Sequence, residues 1–310
     1  MNLITNWLFV TACPMRLQTL RMLLCIHDCG SLRAASEQLH MSQPALTLAI
    51  QQLEGELGCQ LLVRTKRGAS LTTFGQALLP RANRIVAEAE RAKEEMAQMR
   101  GDRIGRVRLA SSPAIALSVL PYALRPFMAQ NPDVRVHCLE GTYPAIGPAL
   151  RDGTLDFALT PLRDEDLSPE WHAEHLYQSE VAIIARKQHP LARATHLQEL
   201  LAARWAYATG IQGPGAVVDE AFRQAGLEPP EPVIIFESLL ALPDLVAHSD
   251  LLATVPRRLI GRGQAWDTLC VVPVTQALPT LSLTVLRRAS QALTPAANEL
   301  LGWIRQIAKG

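Results

Sequence analysis

Residues 31–57 contain two short apolar repeats of helical spacing with only two residues between them, and this pattern restricts the fold more than any other. Ser31 can cap the first helix and Ser42 the second, while Pro44 falls in a first turn, where a missing N–H costs nothing. The inward apolar positions are Leu32, Ala35 and Leu39, then Leu46, Ile50, Leu53 and Leu57. Two helices this close must cross steeply, so the sequence predicts a helix-turn-helix.

The outward face of the second predicted helix is polar and uncharged. Amide and hydroxyl side chains of this kind form hydrogen bonds with base edges in the major groove of DNA. We expect base contacts from the start and outer face of this helix, at Ser42, Gln43, Pro44, Thr47 and Gln51. The alternative is an ordinary helical subdomain with a solvated polar face.

The stretch 61–72 follows the second helix and is typical of two short strands around a basic tip, which would form a wing. Basic side chains near such a tip suit contact with phosphates or with the minor groove. We expect these contacts from Arg33, Arg64, Lys66 and Arg67.

Residues 73–100 predict one long helix. Its apolar positions recur at steps of four and three, at Leu78, Ala82, Ile85, Ala89, Ala92, Met96 and Met99. Pro80 is expected to bend or break the first turns. The pattern predicts dimerisation through a second copy of the chain, which would let two recognition helices read an inverted repeat. Packing of the seam on the protein's own larger domain is the alternative.

Beyond a short polar hinge the pattern changes to alternating strands and helices, which predicts α/β lobes with a parallel sheet covered by helices on both faces. Two lobes joined by two crossovers would make a cleft, as in periplasmic binding proteins. The fold class expected is therefore α/β with an all-α, winged N-terminal part. The predicted domains are an N-terminal extension 1–14, a winged helix-turn-helix 15–73, a linker helix and hinge 74–105, and an effector domain 106–310 with lobe I at 106–175 plus 276–310 and lobe II at 176–275.

Ligands of open α/β sheets bind at the carboxyl ends of strands, where helix N–H groups are free. Hydroxyls and amides at these ends favour a small organic anion such as a carboxylate or sulfonate. The candidate residues are Ser112, Pro113, Tyr143, Thr160, Gln212, Glu237 and Ser238. Each Ser or Thr could equally be a plain helix cap, and Tyr143 could stack on an aromatic ring or simply fill the cleft.

Other functions are disfavoured by the sequence. No nucleophile elbow or phosphate-binding loop is present, and His172 and His175 fall in a predicted polar loop without a third metal ligand nearby. We therefore expect no enzyme activity, metal or cofactor. A thiol-based redox sensor using Cys138 and Cys270 is the first alternative, although buried strand cysteines are usually inert. A transport receptor is the second.

Net charge and cysteine content indicate how the protein would bind DNA and in which compartment it would act. The net charge of +1 means that DNA affinity must come from a local basic patch. Six scattered cysteines without paired zinc spacing suit a reducing cytoplasm, and no stretch has the length of a membrane span or the order of a signal peptide. Residues 1–14 are expected to be either a mis-set translation start or a loose tail.

Residues 15–75 resemble the winged helix-turn-helix of LysR-type transcriptional regulators. The motifs that carry the resemblance are Gly30-Ser-Leu-Arg-Ala-Ala-Ser-Glu-Gln-Leu39, Ser42-Gln-Pro-Ala-Leu46, Ile50-Gln-Gln-Leu-Glu54 and Leu71-Thr-Thr-Phe-Gly75. Leu62 stands where the family usually has Phe. The resemblance implies a homotetramer, a dimer of dimers that bends its promoter and can contact RNA polymerase. It also implies that Ser112 and Thr160 line an inducer cleft, and residues 110–165 are similar to regulators of aromatic sulfonate or carboxylate degradation.

Overall fold

The protein is described by a computed structural model, which covers residues 15–65, 68–162, 166–208, 214–236 and 238–309. The chain divides into two compact units. The first takes in the chain up to Arg100 together with Pro148–Leu155, and the second comprises Gly101–Gly147 and the chain from Asp156 onward. The predicted effector domain 106–310 therefore differs from the second unit, because Pro148–Leu155 groups with the first.

Among the described residues up to Arg100, the first unit contains four helices and a hairpin. They are α1 Leu17–Cys29, α2 Leu32–Gln38, α3 Gln43–Leu57, β1 Leu62–Thr65, β2 Gly68–Leu71 and α4 Thr73–Met99. Apolar residues of α1 and α3, with Leu61, form one buried core. Leu57 is an exception to the predicted inward face, because this last residue of α3 extends beyond the core and is 42% exposed.

Backbone contacts fix the hairpin β1–β2 against the helices. The Glu54 carboxylate of α3 accepts hydrogen bonds from the backbone N–H groups of Leu61 and Leu62, at 2.7 and 3.1 Å. A Cβ atom on Gly75, at the start of α4, would lie 2.3 Å from the Leu61 carbonyl oxygen. Gly75 is therefore required by a close backbone approach, and Glu54 joins the end of α3 to the wing.

Helix α4 runs without a break through Pro80, so the predicted interruption is wrong. Its apolar seam is divided between two sides of the helix. Ala82 is fully buried and Val86 nearly so, both in the core that α1 contributes to, whereas Ile85, Met96 and Met99 are 42, 51 and 70% exposed. Part of the predicted dimer seam thus packs within its own unit.

Within the first unit, α4 also binds the segment Pro148–Leu155. The guanidinium of Arg91, which is 4% exposed, donates to the carbonyl oxygens of Gly153 and Leu155. Asn83 donates to the Asp152 carboxylate at 3.1 Å. These bonds explain why this segment belongs to the first unit.

The second unit contains two five-stranded sheets, one in each lobe. The first has the strand order β4-β3-β5-β12-β6, in which β4, β3 and β5 are parallel and β12 is antiparallel to both neighbours. The elements of this lobe are β3 Ile104–Ser111, α5 Pro113–Ser118, α6 Leu120–Gln130, β4 Asp133–Glu140, β5 Phe157–Pro161, β6 Trp171–Ser179, β12 Leu281–Arg288 and α10 Pro295–Lys309. Helix α7 Gly147–Arg151 follows β4 in the chain but, apart from Gly147, belongs to the first unit. Apolar residues of α5, α6 and α10 cover this sheet to form the core of lobe I.

The second sheet has the order β11-β7-β10-β8-β9 and mixes parallel and antiparallel pairs. Its elements are β7 Val181–Arg186, β8 Arg204–Tyr207, α8 Pro214–Gln224, β9 Pro232–Ile235, α9 Leu242–Ala247, β10 Leu251–Pro256 and β11 Leu269–Val271, with 3-10 turns at Leu197–Leu200, Arg257–Leu259 and Gln264–Asp267. Separate buried clusters lie on its two faces, one around Trp205 and Phe222 and the other around Leu242 and Leu251.

The sequence missed the edge strand β6. His172 and His175 lie in β6 rather than in a loop, and His175 Nδ1 is 3.0 Å from Ser282 Oγ of β12. The lobe boundary placed after residue 175 cuts this strand, so lobe I continues to Ser179. Both sheets are mixed rather than parallel.

Candidate functional site

Helix α3 presents a continuous outward face, as the sequence predicts. Ser42 Oγ accepts a hydrogen bond from the Ala45 N–H at 3.3 Å and caps the helix. Gln43, Pro44 and Gln51 are exposed. These side chains project from one rigid element, which is the arrangement that reading base edges requires.

Thr47 differs from its neighbours on this helix. Its side chain is only half-exposed, and its hydroxyl donates to the Gln43 carbonyl oxygen one turn earlier, at 2.9 Å. Oγ1 can still accept a hydrogen bond, and the methyl group is unaffected. Thr47 can therefore contribute a hydrogen-bond acceptor and a methyl group to the outward face, but not a hydrogen-bond donor.

The basic residues expected to contact phosphates are only partly described. Arg33 is exposed on α2 and forms an ion pair with Glu37, with Nε 3.1 Å from Oε1. A surface pair of this kind is weak and is easily exchanged for a phosphate. Arg64 lies in β1, but its side chain is outside the described residues, as are Lys66 and Arg67 entirely.

One exposed residue of α3 was missed by the sequence analysis. Leu48 is 57% exposed, although leucines at neighbouring helical positions are buried. From the sequence, Leu48 was assigned to neither face of the helix. Its spacing of two residues from the buried Leu46 and Ile50 is consistent with the outward position that the structure shows.

In lobe I, three expected effector residues meet at the carboxyl ends of adjacent parallel strands. Ser112 follows β3, and its N–H donates to the Leu159 carbonyl oxygen of β5 at 2.8 Å. Thr160 is the next residue of β5, and its Oγ1 accepts from the Tyr143 N–H at 3.0 Å. The structure thus brings together Ser112, Tyr143 and Thr160 from separate parts of the sequence.

The hydroxyl of Ser112 has no hydrogen-bond partner among the described residues, although the residue is only 3% exposed. Ser112 occupies the N-cap of α5, and Pro113 is the first residue of that helix, but the side chain makes no capping bond. Leaving a buried hydroxyl unpaired costs about 1–3 kcal/mol. This group is free to bind a polar atom of a ligand.

Thr160 and Tyr143 are already engaged within the protein. Besides accepting from Tyr143, Thr160 Oγ1 donates to the Pro161 carbonyl oxygen at 3.1 Å. The half-buried Tyr143 ring packs edge-on against Trp171, with centroids 6.2 Å apart. Thr160 therefore positions the Tyr143 backbone, and Tyr143 forms part of an aromatic wall.

Of the effector-binding residues expected in lobe II, only Ser238 is described by the structure. Ser238 is exposed, and its Oγ accepts from the Ala241 N–H at 3.3 Å, which is the plain capping role. The next residue, Leu239, belongs to the buried cluster against which Ala114 and Leu117 of α5 pack. Helix α5, which begins just after Ser112, therefore joins the two lobes. Gln212 and Glu237 lie outside the described residues.

The cysteines proposed for redox sensing do not contact each other. Cys138 Sγ is 3.8 Å from the Leu139 carbonyl oxygen in lobe I, and Cys270 Sγ is 3.9 Å from that of Arg186 in lobe II. Desolvation raises the pKa of both thiols, with Glu140 adding to the effect at Cys138 and Lys187 opposing it at Cys270. A raised pKa disfavours the reactive thiolate.

Metal ligands and membrane-spanning segments can be assessed for the described part of the chain. It holds no group of three or more His, Cys, Asp or Glu side chains placed to bind a metal ion. None of its helices has the length and apolar character needed to cross a membrane.

Family models match both units of the sequence. A model for the bacterial regulatory helix-turn-helix protein, lysR family, matches residues 17–76, and a model for the LysR substrate binding domain matches residues 100–309. The second match alone covers more than half of the chain.

Characterised relatives and solved structures agree with these matches. The chain is 30% identical to the transcriptional regulator GalR of Pseudomonas putida over 278 residues, which are 89% of this chain and 70% of that protein. It is 30% identical to the SDS degradation transcriptional activation protein of a Pseudomonas species over 292 residues, 93% of this chain and 95% of the relative. The crystal structure of CbnR, a LysR family transcriptional regulator, has the same fold, with a TM-score of 0.71 at 23% identity over 96% of this chain and 100% of that one.

Proposed function

The chain belongs to the LysR family of DNA-binding transcriptional regulators and is not an enzyme, and from this premise we propose that a homo-oligomer binds an inverted-repeat promoter site under the control of a small organic anion. The DNA contacts come from α3 and the wing. The effector binds at the carboxyl ends of the strands of lobe I. The protein acts in the cytoplasm, where RNA polymerase is a further partner.

The outward face of α3 carries the DNA-binding part of the proposal. Its capped start and buried inner side fix the helix, and the exposed side offers Gln43, Pro44, Thr47 and Gln51. Arg33, Arg64, Lys66 and Arg67 supply cations for phosphates, which position the protein without reading sequence.

The exposed apolar residues of α4 support dimerisation. Ile85, Met96 and Met99, together with Phe74 at 59%, leave a long apolar stripe uncovered. A stripe of this kind is stabilised by a second copy of the same helix. A dimer of dimers needs another surface, and the edge strand β9, with Val233 and Ile235 at 49 and 59% exposure, provides an apolar one.

The unpaired hydroxyl of Ser112 supports the anion site, because a carboxylate or sulfonate accepts the hydrogen bond that this donor lacks. Tyr143 and Trp171 add an aromatic wall that suits an aromatic ligand. One relative is named for the degradation of SDS, an organic sulfate, so the chemical class agrees. The ligand controls DNA binding only through its different affinity for the two arrangements of the lobes.

Replacement of Gln43 by Ala tests the DNA contact. We expect a loss of about 1–3 kcal/mol on a duplex selected by the wild-type chain, because a base contact is removed. The affinity of Gln43→Ala for scrambled DNA should change little. The control Gln224→Ala changes an exposed glutamine of α8 and should bind both duplexes as the wild type does. Equal losses on both duplexes would refute base reading by Gln43, whereas Arg67→Ala should weaken binding to every sequence and reduce its salt dependence.

Light scattering tests the α4 surface. The double variant Ile85→Asp, Met96→Asp should remove the dimer, because charges would be buried in its contact. The control Leu201→Asp places the same charge at a 40% exposed leucine of lobe II and should leave the oligomer intact. An unchanged oligomer in the double variant would exclude this face.

Thermal unfolding with benzoate or benzenesulfonate tests the anion site. A ligand at about 100 times its Kd raises the midpoint by roughly 5 °C or more. Ser112→Ala should remove this shift and leave DNA binding unchanged. A full shift in the variant would exclude Ser112 from the site.

A further inference from the structure

Leu48 lies at the centre of the exposed side of α3. It is two residues from both Leu46 and Ile50, which are buried, and two residues correspond to about 200° around a helix. Pro44 lies one turn before it, and Gln51 and Gln52 lie one turn after it, all exposed. An apolar side chain therefore stands in the middle of the polar face of α3.

With 57% of its surface exposed, this leucine is left largely uncovered by the described residues of the first unit. Exposure of its apolar, branched end to water is unfavourable, so burial of the side chain against another apolar group would lower the free energy. Pro44 extends the apolar area by one turn toward the start of the helix. The surface formed by Pro44 and Leu48 is flanked by amide side chains, so its partner must combine an apolar group with hydrogen-bonding groups close by.

We propose that Leu48, together with Pro44, binds the 5-methyl groups of thymines in the major groove and so selects thymine at defined positions of the site. This inference rests on the proposed DNA binding and adds a base identity to it. The methyl group is the one apolar feature that a base pair presents in the major groove. Gln51 and Gln52 lie one turn away and can donate to or accept from the edges of adjacent bases.

The chemistry predicts a particular discrimination. Deoxyuridine has the hydrogen-bonding groups of thymidine but lacks the methyl group. Loss of one buried methyl corresponds to about 0.8 kcal/mol, or about fourfold in affinity for each half-site. Leu48→Ala should reduce affinity for thymine-containing DNA by a similar factor and make the variant insensitive to the exchange of thymine for uracil.

The test uses the full-length chain and a duplex that the wild-type chain selects from random-sequence DNA. Affinities of wild type and Leu48→Ala are measured for this duplex and for its deoxyuridine counterpart. The matched control is Leu57→Ala, a 42% exposed leucine at the last residue of the same helix, more than two turns from Leu48, which should keep the wild-type discrimination. Leu48→Asn, which is similar in size and polar, should lose it, whereas Leu48→Met should retain most of it.

The outcomes separate the two proposals. A fourfold preference for thymine that disappears in Leu48→Ala and persists in Leu57→Ala supports the contact. Equal wild-type affinity for both duplexes, or a preference that survives in Leu48→Ala, overturns the inference and leaves DNA binding intact. If the wild-type chain selects no duplex, the proposed function fails and the thymine contact with it. Unchanged thermal unfolding of Leu48→Ala confirms that the variant is folded.

Discussion

Serine occupies the N-cap of helices in both units of the molecule, but its hydroxyl has a different role in each. In the first unit Ser31 and Ser42 accept hydrogen bonds from the N–H groups of Ala34 and Ala45, at 3.1 and 3.3 Å. In the second unit Ser112 precedes α5 and is almost completely buried, and its hydroxyl is unpaired among the described residues. The serine hydroxyl at the N-cap therefore stabilises the helix in the first unit, whereas in the second unit it makes no hydrogen bond within the described structure.

The comparison shows two ways of building a binding site. The first unit uses the hydroxyls of its capping serines within the helices and directs other side chains outward from a rigid helix. The second unit gathers residues from separate strands, and among the described residues the buried Ser112 hydroxyl has no hydrogen-bond partner. Substitution of a capping serine in the first unit should therefore lower stability. Substitution of Ser112 should reduce ligand binding without lowering stability.

The largest effect is expected at a close backbone contact of the first unit. Gly75→Ala would place a methyl group 2.3 Å from the Leu61 carbonyl oxygen, so the first unit should lose about 2–3 kcal/mol, near the upper end for overpacking. Denaturant unfolding measures the change. The control Gly302→Ala in α10 has no atom within 4 Å of its new Cβ and should stabilise the second unit by up to about 1 kcal/mol. If Gly75→Ala left the free energy of unfolding unchanged, the wing would have to be able to shift without cost.

Thr160→Val tests whether the neighbour of Ser112 is structural. The change removes the acceptor of the Tyr143 N–H, which leaves a polar group without its partner, so we expect a loss of about 1–3 kcal/mol. Thermal unfolding would show it. If Thr160→Val instead unfolds like the wild type but no longer responds to the anion, Thr160 binds ligand directly.

The serine pair gives the sharpest test of the comparison. Ser31→Ala should destabilise the first unit by about 1 kcal/mol through loss of a cap. Ser112→Ala should leave stability unchanged or raise it by up to about 1 kcal/mol, because the hydroxyl removed is unpaired. Both variants are measured by urea unfolding without ligand. If Ser112→Ala lowered the free energy of unfolding as much as Ser31→Ala does, the Ser112 hydroxyl would have a structural partner. The two serines would then have the same role.

The smallest effect concerns surface ion pairs. The Arg305 guanidinium donates to both carboxylate oxygens of Glu174, at 2.7 and 2.6 Å, and lowers the pKa of Glu174. A lowered pKa stabilises the folded state above the pKa of the unfolded chain, and this contribution disappears as the pH falls through the folded value. Glu174→Gln should therefore cost up to about 1 kcal/mol at pH 7 and nothing in strong acid.

Glu37→Gln is the matching change in the first unit. Its partner Arg33 lies one helical turn away and both side chains are more exposed than the Glu174 pair, so the cost should be about 0.3 kcal/mol. Urea unfolding at several pH values measures both variants. A cost for Glu174→Gln that does not change with pH would assign its effect to packing.

The elements that the sequence missed have clear physical reasons. Strand β6 is an edge strand and carries polar residues such as His172 and His175, so it lacks the apolar alternation of the central strands. It pairs with β12, about 100 residues further along the chain. Ala82 was assigned to a dimer seam because one helix face cannot show which of its neighbours belong to the same chain.

The sequence alone determined the features that depend on residues within a few positions of each other. The capped helices α2 and α3, the hairpin after them, the long α4 and most strands of both lobes follow from local periodicity and from caps such as Ser31 and Ser42. Family membership follows from the same motifs.

Only the tertiary structure decided which polar groups remain unpaired and which apolar groups remain exposed. Among the described residues the buried Ser112 hydroxyl has no hydrogen-bond partner, whereas the Thr160 hydroxyl is paired with the backbone of Tyr143. Leu57, predicted to face inward, is 42% exposed. The physical reason is that burial and hydrogen bonding between distant residues depend on how the strands and helices pack. No local pattern contains that information.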